Sequence, residues 1–287
     1  MAYSIAPKDR SATKALRRIA RELLEDSMAI VAARRMPPSE IIHELRKNVK
    51  KARALLRLVR PGFGAYAEEN AALRDAGRML SSLRDADVLA QSFDRVAARV
   101  YVPPETRALL RECVARAPVN GMDLDMTLRV HAETVAVIAA RARRWKVTQD
   151  GFDAFEKGLE RSWTAAQKAM RAARDNPTGD ALHLWRKRVK DHWYHARLLQ
   201  PIWPEMMTHH MAAAESLGET LGDARDLAFL AEALAPLPDA ADIRTVAVDE
   251  AARLRFDAHA LGRRFLGEPA ECLTRRWRGW WDIWREG

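Results

Sequence analysis

His43-x-x-Arg46-Lys47-x-Val49-Lys50 and His183-x-x-Arg186-Lys187-x-Val189-Lys190 set the same titratable side chains at the same spacing, 140 residues apart. At 100° per residue on a helix, Ile42, Leu45, Val49, Ala52, Leu56 and Val59 form an apolar side. His43, Arg46, Lys50, Arg53, Arg57 and Arg60 line an adjoining stripe. The second copy continues as His183, Arg186, Lys190, Trp193 and Arg197. Like charges three and four residues apart repel, at about 0.2–0.5 kcal/mol per pair, unless an anion neutralises them. A helix rising about 1.5 Å per residue presents such cations about every 5–6 Å along one line. That spacing suits a linear polyanion better than one compact phosphate. Arginine forks take phosphate oxygens in pairs, and lysines act as point charges.

The charge arithmetic singles out the same two segments. Residues 43–60 hold seven basic side chains against Glu44, and residues 183–197 hold five against Asp191, balances of +6 and +4. The whole chain of 287 residues carries +9, so the remainder is close to neutral. A concentrated field of this kind points to an anionic partner.

His43 and His183 stand at the start of the two ladders. One reading has them donating to phosphate, gaining strength as pH falls below about 6.5. The other has them buried and hydrogen-bonded between the two halves. Metal ligation is disfavoured by the surrounding cations and the lack of Asp, Glu or Cys at ligand spacing, and no metal or cofactor is expected. His192, His195, His209 and His210 occur in one half only, and their spacing assigns them no role.

The elements that must hold these ladders are helices. Apolar residues recur every three to four positions between clusters of proline and glycine, and no run alternates with the period of a half-buried strand. Helices are expected over 8–35, 39–60, 65–99, 104–117, 123–146, 150–175, 179–200, 204–235, 239–266 and 269–285.

The offset that relates the ladders relates more of the chain. Arg17 aligns with Lys157, Arg21 with Arg161, Arg34 with Arg174 and Pro37 with Pro177. With one residue inserted, Gly77, Leu80, Arg84-Asp85 and Leu89 answer Gly218, Leu221, Arg225-Asp226 and Leu230. Two homologous helical halves, 8–145 and 146–285, follow. Arg17 and Arg21, with Lys157 and Arg161, then offer a parallel basic rail from the preceding helix. Arg84-Asp85 and Arg225-Asp226 are read as buried ion pairs locking the third helix of each half, or more weakly as further phosphate contacts.

With 48% hydrophobic residues the chain can bury a sizeable core, and its two cysteines, Cys113 and Cys272, fit a reducing compartment. The start, MAYSIAPKDRSATK, lacks the apolar core of a signal peptide, and no stretch reaches the roughly 20 apolar residues of a membrane span. A cytoplasmic protein is expected. Trp277, Trp280, Trp281 and Trp284, interleaved with Arg275, Arg276 and Arg278, read as a helix packed on the bundle; an interfacial anchor is the minor alternative.

These residues resemble the CHAD family, named for a conserved-histidine α-helical domain. The resemblance rests on His43-x-x-Arg46-Lys47 with its basic ladder, on Leu83-Arg84-Asp85-Ala86-Asp87-Val88, and on second copies at His183 and Arg225-Asp226, and it spans residues 8–285. It implies an all-α fold of two four-helix bundles related by a pseudo-twofold axis, with a basic central cleft that binds inorganic polyphosphate. It also implies an association with polyphosphate granules. Carried over residue by residue, the phosphate contacts are His43, Arg46, Lys47, Lys50 and Arg57, with His183, Arg186, Lys187, Lys190 and Arg197; Arg17, Arg21, Lys157 and Arg161 are additions. The second copy departs from the pattern at Trp193 and Tyr194, where the first has Arg53 and Ala54.

Three functions compete. The first is non-catalytic polyphosphate binding. The second is general polyanion or nucleic-acid binding, against which the ladders lack aromatic interleaving apart from Trp193 and Tyr194. The third is enzymatic phosphate chemistry, or service as a granule-surface accessory to an enzyme that performs it. Catalysis would need metal-binding carboxylates beside the groove, and no paired acidic motif stands there.

Overall fold

The computed structural model describes residues 3–80, 85–115 and 123–286, without the side chains of 85–88 and 115. The described residues contain helices and no strand. The helices are α1 (Ala12–Ala33), α2 (Pro38–Leu58), α3 (Tyr66–Arg78), α4 (Asp85–Ala97), α5 (Pro104–Ala115), α6 (Leu124–Ala142), α7 (Asp153–Asp175), α8 (Gly179–Leu198), α9 (Pro204–Leu234), α10 (Ala241–Phe265) and α11 (Ala270–Glu286).

Most begin and end where local chemistry demands. Ser11 and Thr178 cap α1 and α8, each hydroxyl accepting a backbone N–H three residues on at 3.2 Å. Prolines open α2, α5 and α9, where a missing N–H costs nothing. The expected continuous helix over 65–99 is divided: α3 stops at Arg78, beside the weak helix former Gly77, and α4 resumes at Asp85. Its counterpart α9 runs unbroken through Gly218 and Gly222.

Two sets of four helices carry most of the packing. In the first, α2 lies against α1 and α3, and α6 lies against α1 and α3. Two 2.8 Å bonds from Arg141 to the buried carboxylate of Glu69 tie α6 to α3. In the second, α7, α8, α9 and α10 pack in sequence order. The α4–α5 hairpin rests on α9 and α10 through Phe93, Leu110, Leu230 and Ile243. Helix α11 docks on α7, with Trp277 and Trp281 buried and Trp281 edge-on to Phe155 at 5.6 Å. The tryptophan-rich segment is therefore packed on the bundle.

The sets meet where α2 runs against both α7 and α8. The approach of α2 to α7 is close enough that a Cβ on Gly158 would stand 1.7 Å from the Leu58 carbonyl oxygen. This junction brings the basic faces of α2 and α8 opposite one another. The N-terminal strap closes its far side, as Ile5 N–H donates to the Leu198 carbonyl at 2.9 Å and Tyr3 Oη donates to the Lys51 carbonyl at 2.8 Å. No described helix is long and apolar enough to cross a membrane.

Candidate functional site

Between α2 and α8 lies a cleft of about 360 Å³. From α2 it is lined by Arg46, Lys50, Arg53 and Arg57, and from α8 by His183, Arg186, Lys187, Lys190, Asp191 and Tyr194. Helix α9 adds Arg225, Asp226 and Phe229. Among the described residues, eight Arg and Lys side chains thus face two carboxylates, a balance of +6 on that lining.

The helices earn their orientation from their apolar sides. Leu45, Val49, Ala52 and Leu56 of α2, and Leu182, Trp185, Val189 and Ala196 of α8, are buried, which turns the basic stripe of each helix toward the opening. Backbone contacts then aim the arginines. Arg46 Nη1 donates to the Leu80 carbonyl at 3.0 Å, and Arg186 Nε donates to the Gly218 carbonyl at 3.0 Å. Arg186 lies flat on α9: a Cβ at Gly222 would stand 2.8 Å from its Nε. Gly218 likewise admits the Lys190 stem, 3.1 Å from where a Cβ would be. The two glycines of α9 are small because basic side chains cross there.

The electrostatics are those of cations crowded without enough counter-charge. Burial, with Arg57 beside it, pushes the Arg53 guanidinium down to about 10, still cationic at neutral pH. Partial burial followed by the charges of Arg188, Arg53 and Arg57 lowers Lys187. Burial chiefly, with Arg186 adding, lowers Lys190. His183 is lowered by partial burial and then by Arg225, Lys187 and Arg186. A negative charge placed among these groups would favour the charged form of each.

Several expected contacts lie elsewhere. Lys47 pairs with Glu44 and faces a different groove, with Tyr3, Asp26 and Lys51. Arg197 stacks over Trp193, 5.4 Å from the ring centre. Arg17 Nε donates to the Trp145 carbonyl at 2.6 Å, Arg21 lies 3.9 Å from Glu25, and Lys157 pairs with Glu160 at 2.9 Å. Arg161 lines a second basic groove of about 470 Å³, together with Arg60, Lys168 and Arg188, that meets the cleft at Arg57 and Asp191. The first-helix rail is therefore not a lining of the cleft. His43 and His183 are both exposed, and His183 alone lines the cavity.

Arg225 and Asp226 differ from the buried lock expected of them. Arg225 is 46% exposed, only 3.8 Å from Asp226, and points into the cleft, because α9 packs through Leu221, Ala224 and Leu227 instead. Arg84 and the Asp85 side chain lie outside the described residues. Asp191, Tyr194 and Phe229 were not anticipated as lining. For Asp191 a signal existed, since it is the one acid between residues 183 and 197 and stands where the first copy has Lys51.

Three of the four unassigned histidines, His192, His195 and His210, lie together away from the cleft, while His209 is exposed. His192 Nε2 and His210 Nε2 are 2.7 Å apart beneath Trp163 and Trp277. The ring nitrogens of His195 meet the Ser162 hydroxyl at 3.0 Å and the Ala54 carbonyl at 2.9 Å. Burial drives all three down, His195 and His210 to about 4. Among the described residues no cluster of His, Cys, Asp and Glu fits a metal ion.

Compared with known families, residues 14–235 match the family model of the CHAD domain. No curated protein matches the chain.

Proposed function

Because this chain belongs to the CHAD family and folds two basic helices face to face, we propose that it binds inorganic polyphosphate in the α2–α8 cleft. It does so without catalysing turnover. The observation that carries the reading is the row of eight cations, four from α2, three from α8 and Arg225 from α9, around one cavity. Linear phosphate chains carry a charge on every unit, and such a row matches several units at once. Binding would recruit the protein to polyphosphate granules through the polymer itself.

Isothermal titration of long-chain polyphosphate at several salt concentrations tests this. Six matched phosphates predict a log–log slope of affinity against salt of about −4, by analogy with single-stranded polyanions. No binding near physiological salt overturns the reading. Competition separates it from general polyanion binding: DNA at matched charge should displace polyphosphate poorly, since Phe229 and Tyr194 are the only Phe, Tyr or Trp rings on the described lining. Release of phosphate in the presence of Mg²⁺ or Mn²⁺ would overturn the non-catalytic assignment.

A further inference from the structure

The cleft and the second basic groove meet at an ion-paired cluster. Arg57 of α2 and Asp191 of α8 line both cavities. Arg57 Nη1 donates to Asp191 Oδ1 at 2.8 Å, and Arg188 Nη2 stands 3.2 Å from Oδ2. The bridge is largely withdrawn from water, with the Arg57 side chain 14% and the Asp191 side chain 10% exposed. A charge pair in such a place is weakly screened. The carboxylate also breaks the internal repeat. At the matching position the first copy has Lys51, which lies under Tyr3 and feels Arg197 as a like charge.

We propose that Asp191 is an internal counter-ion that competes with polyphosphate for Arg57 and Arg188 and closes the passage between the two basic cavities. This rests on the polyphosphate reading above. A chain advancing along the α2 row meets Arg46, Lys50 and Arg53 on the cleft wall, then Arg57, whose guanidinium is held by the Asp191 carboxylate, a fixed negative charge. To go further, a phosphate must displace the carboxylate and leave it unpaired in a poorly hydrated site, which costs more than the new contact returns. Two consequences follow. Arg57 contributes little to affinity while Asp191 is in place, and affinity stops rising with chain length once the chain fills the cleft.

Titration of the full chain with linear polyphosphates of increasing length, at fixed salt, distinguishes this from a merely structural bridge. Asp191→Asn keeps the shape and an acceptor oxygen while removing the charge. It should bind long chains about tenfold more tightly, and its affinity should still be rising at lengths where that of the unsubstituted protein has levelled off. Arg57→Gln should cost less than about threefold alone and about tenfold in the Asp191→Asn background. That double variant also lacks the unpaired guanidinium, which guards against misfolding; thermal unfolding without ligand verifies each protein. If Asp191→Asn does not fold, Arg57→Gln alone decides, and a tenfold loss there overturns the proposal. Weaker binding by folded Asp191→Asn, or an unmoved length limit, overturns it too, because Asp191 would then be orienting Arg57 for phosphate. If the unsubstituted protein binds no polyphosphate of any length, the parent reading fails and this one falls with it.

Discussion

Helix α2 offers the cleft Arg46, Lys50, Arg53 and Arg57, a row that reaches almost to its C-terminal end. Helix α8 offers His183, Arg186, Lys187 and Lys190, and then its basic row stops. Asp191 closes it, and Trp193 gathers the Lys190 ammonium at 4.8 Å and the Arg197 guanidinium at 5.4 Å onto its ring. The repeat therefore supplies like residues to unlike ends of one cavity. Matched spacing sets which side chains share a helix face; what packs on the helix decides which of them meet a ligand. Lys47 and Lys187 make the point, since they are equivalent in the repeat but lie in different grooves.

The comparison breaks most directly under charge reversal. Lys50→Glu with Lys187→Glu, one from each row, should cost about 100-fold or more in polyphosphate affinity by titration calorimetry, as two charge-assisted contacts become repulsive. Arg143→Glu with Arg144→Glu, on exposed sites outside the cleft, should cost less than about threefold. Equal losses would mean that the anion binds the general surface. Arg141 is no control, because its pair with buried Glu69 holds α3 to α6.

Acid should separate the two halves. Where α8 buries His192 and His195, the repeat gives α2 the buried, untitratable Ala52 and Leu55. The folded-state values of His192, His195 and His210 lie below the unfolded value of about 6.5. The stability they confer is thus fully present above about pH 6.5 and is lost as pH falls toward their folded values. Denaturant titrations should show a loss of about 3 kcal/mol or more between pH 6.5 and 4. His195→Gln, which can still bond the Ala54 carbonyl and cannot titrate, should flatten that slope; an unchanged slope would place the acid sensitivity elsewhere.

Smaller effects sharpen the contrast between equivalent positions. Lys187→Gln should weaken polyphosphate binding by about tenfold and Lys47→Gln by less than about twofold. Similar losses would show that the polymer reaches the groove beside Tyr3. His183→Ala should cost about threefold at pH 7 and more at pH 6, since an anion restores the proton that partial burial, and then Arg225, Lys187 and Arg186, disfavour. His43→Ala, outside the lining, should cost less at both pH values.

Much of the fold was legible because its causes are local. Thr178, Pro38 and Pro204 mark helix starts within a residue or so of where they occur, and the apolar sides of α2 and α8 follow from period alone, whereas α1 begins at Ala12 after the Ser11 cap and not at residue 8. The candidate site was half legible. Arg46, Lys50, Arg57, His183, Arg186, Lys187 and Lys190 do share one cleft. Arg17, Arg21 and Lys157 do not, because nearby acceptors at Trp145, Glu25 and Glu160 hold them. Glu25 and Glu160 stand four and three residues on, at a spacing the sequence shows, whereas nothing local announces the Trp145 carbonyl. Arg225 was misplaced inward for the converse reason, as an adjacent Asp226 suggested a closed pair while the packing of α9 left both on the wall.

Helical periodicity, proline punctuation and charge balance depend on neighbours within a few residues, so the amino-acid order alone determines the all-helical class and the two basic runs. The width of the cleft, the turning of Lys47 away from it and the capture of Arg57 by Asp191, 134 residues distant, depend on how α2, α7 and α8 cross. That crossing is set by contacts such as Gly158 on Leu58, whose members are far apart in the chain. Only the tertiary structure decides it, because the energy lies in close packing between segments that carry no local mark of each other.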